Sequence, residues 1–195
     1  MYVRDAKNRE EVWLLDRIEE LGLDDTAFRS RDYVVAIDEE TGAKAGFGRI
    51  RIHKVDDGED VCELTSIGVL EDWRGQGVGA HVIERLVEYA GDEGFEELYA
   101  LTGETSYLAQ FGFRAIEAGE LPDQLEGRLD AKREDTDPDA VPLRLSVDRF
   151  EMPDRLREAF KAAREPDEPD EDDRDRPEDF GIDPETATYK YDTGS

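Results

Sequence analysis

The run Val69-Leu70-Glu71-Asp72-Trp73-Arg74-Gly75-Gln76-Gly77-Val78-Gly79-Ala80 constrains this chain most. It joins an apolar, strand-like segment to one with helical spacing, marked by Val78, Val82, Ile83, Leu86 and Val87. Three glycines at alternate positions stand where that helix begins. A helix start carries unpaired N–H groups and the positive end of the helix dipole. Glycines remove the side chains that would keep an anion away from those amides. The turn therefore reads as a pyrophosphate cradle. It is not a P-loop, because Ala80 and His81 stand where that loop needs Lys followed by Ser or Thr. The dinucleotide fingerprint fails too: the spacing is G-x-G-x-G, and an antiparallel meander rather than a βαβ unit precedes it.

That meander is read from Tyr33 to Ile37, Ala45 to Val55 and Val61 to Leu70, separated by the turns Glu40-Thr41-Gly42-Ala43 and Asp56-Asp57-Gly58. Ahead of it, Met1 to Asp5 suits a short strand. A helix follows, with a capping box from Asn8 to Glu11, a stripe of Leu14, Leu15, Ile18 and Leu21, and a stop at Gly22. After the glycine turn, a strand is expected over Phe95 to Leu101 and a short helix over Glu104 to Phe111. Further strands are expected over Phe113 to Ile116 and Val141 to Val147. The charged stretch between these last two strands reads as a polar loop of roughly twenty residues. Met152 to Arg164 suits a terminal helix.

The chain has 195 residues and a formal net charge of -27, and only 6 of its 25 basic residues are Lys. An acidic surface poor in Lys is what a protein kept soluble at high salt would carry. The balance argues against a nucleic-acid partner, which needs a basic face. Cys62 is alone, and His53 and His81 are the only histidines, so neither a disulfide nor a usual zinc set is expected. No stretch approaches membrane-span length, so the expected setting is cytoplasmic, away from membranes. From Glu165 onward 13 acidic residues stand against 3 basic ones, broken by four prolines, and this stretch reads as a disordered tail. The expected organisation is a domain over 1–150, a helix over 151–164 and the acidic tail over 165–195.

The sequence resembles the GNAT superfamily of acyl-CoA-dependent N-acetyltransferases. Its signature is Gln or Arg, two residues, Gly, one residue, then Gly or Ala, and Arg74, Gly77 and Gly79 meet it. Leu64 to Val69 looks like the strand before that signature, and Tyr107-Leu108-Ala109-Gln110-Phe111-Gly112-Phe113 looks like the family's helix-to-strand motif. The resemblance implies an α/β fold with a largely antiparallel mixed sheet, splayed at the acetyl-CoA site and flanked by helices. It implies that Arg74, Gly75, Gln76, Gly77, Val78, Gly79 and Ala80 hold the CoA pyrophosphate, and that the pantetheine arm pairs along Ile67, Gly68 and Val69. A bulge in that strand would re-aim its backbone. No metal is implied.

Acetyl transfer to an amine needs a free lone pair, a donor for the oxyanion and a departing thiolate. Histone-acetylating members of the superfamily carry a catalytic Glu at the position matching Glu63, which implies a general base there. The family's usual acid Tyr falls at Leu108, and Tyr107 lies one residue earlier, about 100° around a helix. Tyr107 is thus the candidate acid, with unassisted thiolate departure as the alternative. His81 reads as a solvated helix residue rather than a phosphate ligand. Phe111-Gly112-Phe113-Arg114 and Glu120-Leu121-Pro122 look like the matching region of N-acetylglutamate synthase-like enzymes, which implies an amino-acid-like small-molecule acceptor. Arg49, Arg51 and Arg114 are then candidates for its carboxylate. A protein N-terminus as acceptor, a non-catalytic acyl-CoA sensor and a homodimer stay open.

Overall fold

In the computed structural model, which describes residues 1–166, one open sheet runs in the order β1-β2-β3-β4-β5-β7-β6. Its strands are β1 (Tyr2–Asp5), β2 (Tyr33–Ile37), β3 (Lys44–His53), β4 (Val61–Val69), β5 (Glu97–Thr102), β6 (Arg114–Ala115) and β7 (Val141–Ser146). Helices are α1 (Glu11–Glu20), α2 (Val78–Asp92), α3 (Thr105–Ala109), α4 (Asp123–Asp135) and α5 (Asp154–Lys161). Residues 1–164 form a compact unit. The mixed, largely antiparallel sheet expected from the sequence is present: β4 and β5 run parallel, and the other neighbouring pairs run antiparallel.

Strand alternation divides the core. One face of the sheet packs on α2 through Ile50, Cys62, Leu64, Val82, Ile83 and Leu86. The other face carries two separate apolar clusters. One joins α1 to β2 and β3 through Leu14, Ile18, Tyr33, Val35 and Phe47, and the other joins α4 to β4 and β5 through Val61, Tyr99, Leu101, Leu125 and Leu129. Charged side chains of β3, β4 and α4 fill the seam between them. Within the α1 stripe Leu15 is the exception, being exposed. The capping also falls one residue earlier than the sequence suggests: Glu10, not Glu11, folds back onto the amide of Lys7 at 2.7 Å.

The expected polar loop before β7 contains α4 instead. Leu121, Leu125 and Leu129 recur every four residues and are buried, so a one-residue-wide stripe docks the helix. Every other side chain on it is polar, small or charged, which hid the period. The acidic stretch from residue 167 onward, with the expected disorder of the tail, lies outside the described residues.

Candidate active site

β4 and β5 pair at Glu63↔Tyr99 and Leu64↔Ala100 and then part. A bulge in β4 accompanies the parting. Phe47 faces Gly68 and Arg49 faces Thr65, so β4 uses one more residue than β3 over this interval. Ser66 absorbs the excess with a φ of 54°, a left-handed conformation costing about 1 kcal/mol for a residue with a Cβ. Its hydroxyl offsets part of that by donating to the carbonyl of Asp24 at 2.6 Å. The fork opens into a cavity of about 630 Å³. On the α2 side its walls are Ile67, Val69, Gly79, Ile83, Tyr107 and Leu108; on the other side they are Leu21 to Asp24, Thr65, Ser66, Lys132, Asp137 and Asp139. The cavity thus passes through the sheet.

The glycine turn stands at the α2 side of this passage. Gly75 and Gly77 take φ values of 74° and 76°, which residues with a Cβ adopt only under strain. The first bond of the α2 ladder runs from His81 N to Gly77 O at 3.2 Å. The amides of Val78, Gly79 and Ala80 therefore precede the ladder and keep their donors for another partner. A side chain at Gly79 would meet the Tyr107 hydroxyl 2.9 Å from its Cβ, so that hydroxyl points into the narrow space before the turn. Burial raises the Tyr107 pKa and keeps the hydroxyl protonated. Arg74 stays at the rim, its Nε donating to Val69 O at 3.2 Å.

The outer side of the turn is covered by α5. A Cβ on Gly77 would lie 2.4 Å from the Leu156 carbonyl oxygen. The Gln76 side chain grips the backbone of Arg164, accepting from its amide at 3.0 Å and donating to its carbonyl at 3.1 Å. His81, expected in solvent, is buried: its ring stacks on Phe160 with 3.8 Å between centroids, and Nδ1 donates to Gly77 O at 2.8 Å. The solvated reading failed because Phe160 is 79 residues away in sequence and only tertiary packing brings it there.

Across the sheet, the charged seam centres on Glu63, which has no exposed surface. His53 donates from Nε2 to its Oε1 at 2.9 Å. Arg128 of α4 donates to both carboxylate oxygens at 3.2 Å, and also to Asp24. Lys132 of α4 lies 3.7 Å from Oε2. Burial alone would raise the pKa of Glu63; His53, Lys132 and Arg128 outweigh it and bring it down to about 2. Lys132 also donates to Thr65 Oγ1 on β4 at 3.0 Å and to Leu101 O on β5 at 3.2 Å. These are the residues that would pair next if the strands continued together, so one ammonium spans the root of the fork.

Residues 2–113 match the acetyltransferase (GNAT) family. The chain belongs to that family. An uncharacterized N-acetyltransferase of Chlorobaculum tepidum is 28% identical over 65 residues, which is 33% of this chain and 42% of that protein. Among solved structures, Mycobacterium tuberculosis Rv2747, determined with CoA, superposes with a TM-score of 0.61 at 18% identity, covering 75% of this chain and 99% of that one. Neisseria gonorrhoeae N-acetylglutamate synthase, determined with CoA and N-acetyl-glutamate, gives a TM-score of 0.58 at 18% identity over 74% of this chain and 34% of that one. At these identities the likeness is one of fold. The resemblance read from the glycine turn and the Gly-Phe motif is thereby confirmed as one of family and architecture.

In this GNAT domain the structure brings some of the residues singled out from the sequence together and not others. Ile67, Val69, Gly79 and Tyr107 line one cavity, with Gly75 and Ala80 in the turn beside it. Gly68 faces away, packed where a Cβ would lie 2.6 Å from the Phe47 ring, and Val78 and Ala80 are buried. Of the three arginines considered for an acceptor carboxylate, none lines the cavity. Arg49 is fully buried and donates to Thr26 O, Arg114 sits exposed on β6, and Arg51, opposite Glu63 in the β3–β4 register, is half-buried with its Nη1 unpartnered among the described residues. Sequence reasoning missed Asp24, Arg128 and Lys132. The four-residue Leu period of α4 was the available signal, since it puts Arg128 and Lys132 one turn apart on the helix face beside that stripe.

Proposed function

We propose that this GNAT domain transfers the acetyl group of acetyl-CoA to the primary amine of a small molecule, specifically an amino acid. The observation that carries this reading is the passage through the fork, which joins the glycine turn on one face of the sheet to Asp24 and Lys132 on the other. The amides of Gly75 to Ala80 and the α2 dipole suit the pyrophosphate. Beyond Leu64 and Ala100 the edge of β4 toward β5 is open, which suits the amide groups of a pantetheine arm along Ile67 to Val69.

The thioester then lies in the fork and the amine approaches from the Leu21–Asp24 side. The amine nitrogen attacks the carbonyl carbon, the C–S bond breaks, and Tyr107 donates a proton to the leaving thiolate. The ammonium of an amino acid sheds one proton to water before it attacks, and the nitrogen sheds a second to water as the C–S bond breaks, so both leave without a protein base. This relieves Glu63 of the proton-accepting role that the histone-acetylating relatives suggest. A carboxylate with a pKa of about 2, taken up by His53 and Arg128, is a weak base. We assign it to holding Arg128 and Lys132 in place. Lys132, desolvated and turned to the cavity, is the cation for the carboxylate of an amino-acid acceptor. The presence of N-acetylglutamate synthase among proteins of this fold supports that class.

Release of the CoA thiol, followed over a panel of free amino acids, their decarboxylated amines and short peptides, tests the reading. Turnover is expected with amino acids and not with the amines that lack the carboxylate. Acetyl-CoA binding without release on any member would make the protein a sensor. Release on peptides alone would make the acceptor a protein N-terminus.

A further inference from the structure

Helix α5 bridges the two elements that flank the cofactor side of the cavity. On the α2 side, Leu156 O lies against Gly77, Phe160 stacks on His81, and Arg157 pairs with Glu84 at 2.7 Å. On the α3 side, Arg155 donates to the side chain of Gln110. The segment from Asp154 to Arg164 carries four cations against two carboxylates, in a chain with 52 acidic and 25 basic residues. Arg157 and Lys161 have carboxylate partners. Arg155 is exposed, and among the described residues it has a neutral amide for a partner and no carboxylate. Its guanidinium is near enough to Tyr107 to pull that hydroxyl's pKa down against the rise from burial.

We propose that α5 forms the outer wall of the acyl-CoA site and that Arg155 binds the 3′-phosphate of the coenzyme's adenosine. This rests on the acyl-CoA reading above. The unladdered amides of the turn answer the pyrophosphate and its two charges. A second, more distant phosphate carries about two more charges and needs a cation beyond the turn. Arg155 supplies one: it is next in sequence to Leu156, whose carbonyl lies against Gly77, and is bonded to Gln110 at the end of α3. A guanidinium meets a phosphate in a bidentate, charge-assisted pair.

Calorimetry of acetyl-CoA and 3′-dephospho-acetyl-CoA with wild type, Arg155→Ala and a remote control, Arg29→Ala, tests this. Wild type and the control should bind acetyl-CoA about ten-fold more tightly than the dephospho form, the scale of one charged hydrogen-bonded pair. Arg155→Ala should bind both alike, at the dephospho level. Equal binding of the two ligands by wild type, or preference retained in Arg155→Ala, would overturn the assignment while leaving the acyl-CoA reading intact. Tighter coenzyme binding by Arg155→Ala would also overturn it and make α5 a cover over the turn. No binding of either ligand by wild type would overturn both readings.

Discussion

Replacing Glu63 by Gln separates a structural carboxylate from a catalytic base. The side chain is fully buried and is held by Arg128, Lys132 and His53. Its pKa falls from the ordinary 4.5 to about 2, and at about 1.4 kcal/mol per pKa unit this is roughly 3 kcal/mol of folding stability held by the charge. Breaking one partner out of a buried ion pair costs a similar ~3–5 kcal/mol, because the other charges stay buried. Gln keeps the shape but turns an amide toward cations. Against a usual total of ~5–15 kcal/mol the loss is large. In urea titrations at pH 7, Glu63→Gln should lower the unfolding free energy by about 3 kcal/mol with an unchanged slope. The sign of the pH dependence follows from a folded pKa below the unfolded one. The carboxylate's contribution is complete above pH 4.5 and is lost as pH falls through about 2. The gap between wild type and variant should therefore close toward pH 2. A variant as stable as wild type at pH 7, with a rate loss of ~10²–10⁴ that recovers at high pH, would refute this reasoning and restore Glu63 as the general base.

Gly79 has helical backbone angles, so Gly79→Ala strains no dihedral; its Cβ would press on the Tyr107 hydroxyl at 2.9 Å and on Val69, and should raise the acetyl-CoA dissociation constant at least ten-fold by calorimetry. Tyr107→Phe should lower turnover by roughly 10²-fold, the low end for a positioned proton donor, with coenzyme affinity little changed; equal loss of both would give Tyr107 a binding role instead. Lys132→Met, which keeps the length and removes the charge, should raise KM for the amino-acid acceptor more than it lowers kcat, and an unchanged KM would place the carboxylate elsewhere. With a net charge of -27, melting temperature should rise from dilute buffer to molar KCl as self-repulsion is screened; a flat or falling profile would count against salt adaptation.

Features that depend on neighbours along the chain are legible in the residues alone. Period-two runs located the meander, and three glycines before an amphipathic run marked an unladdered helix start. The motifs from that turn to Gly112-Phe113 carry the resemblance to the family that residues 2–113 match. Tertiary structure decided what depends on separate segments meeting. Glu63 reads as a general base by resemblance, and nothing along the chain shows the cations around it until α4, 65 residues on, delivers Arg128 to it. His81 looks solvated until Phe160 covers it. Lys132 becomes a bridge across the fork only because β4 and β5 part beside it. Helix and strand periods are set by local sterics and burial of one face. A charge's partners are set by long-range packing, which the pattern of one segment does not encode.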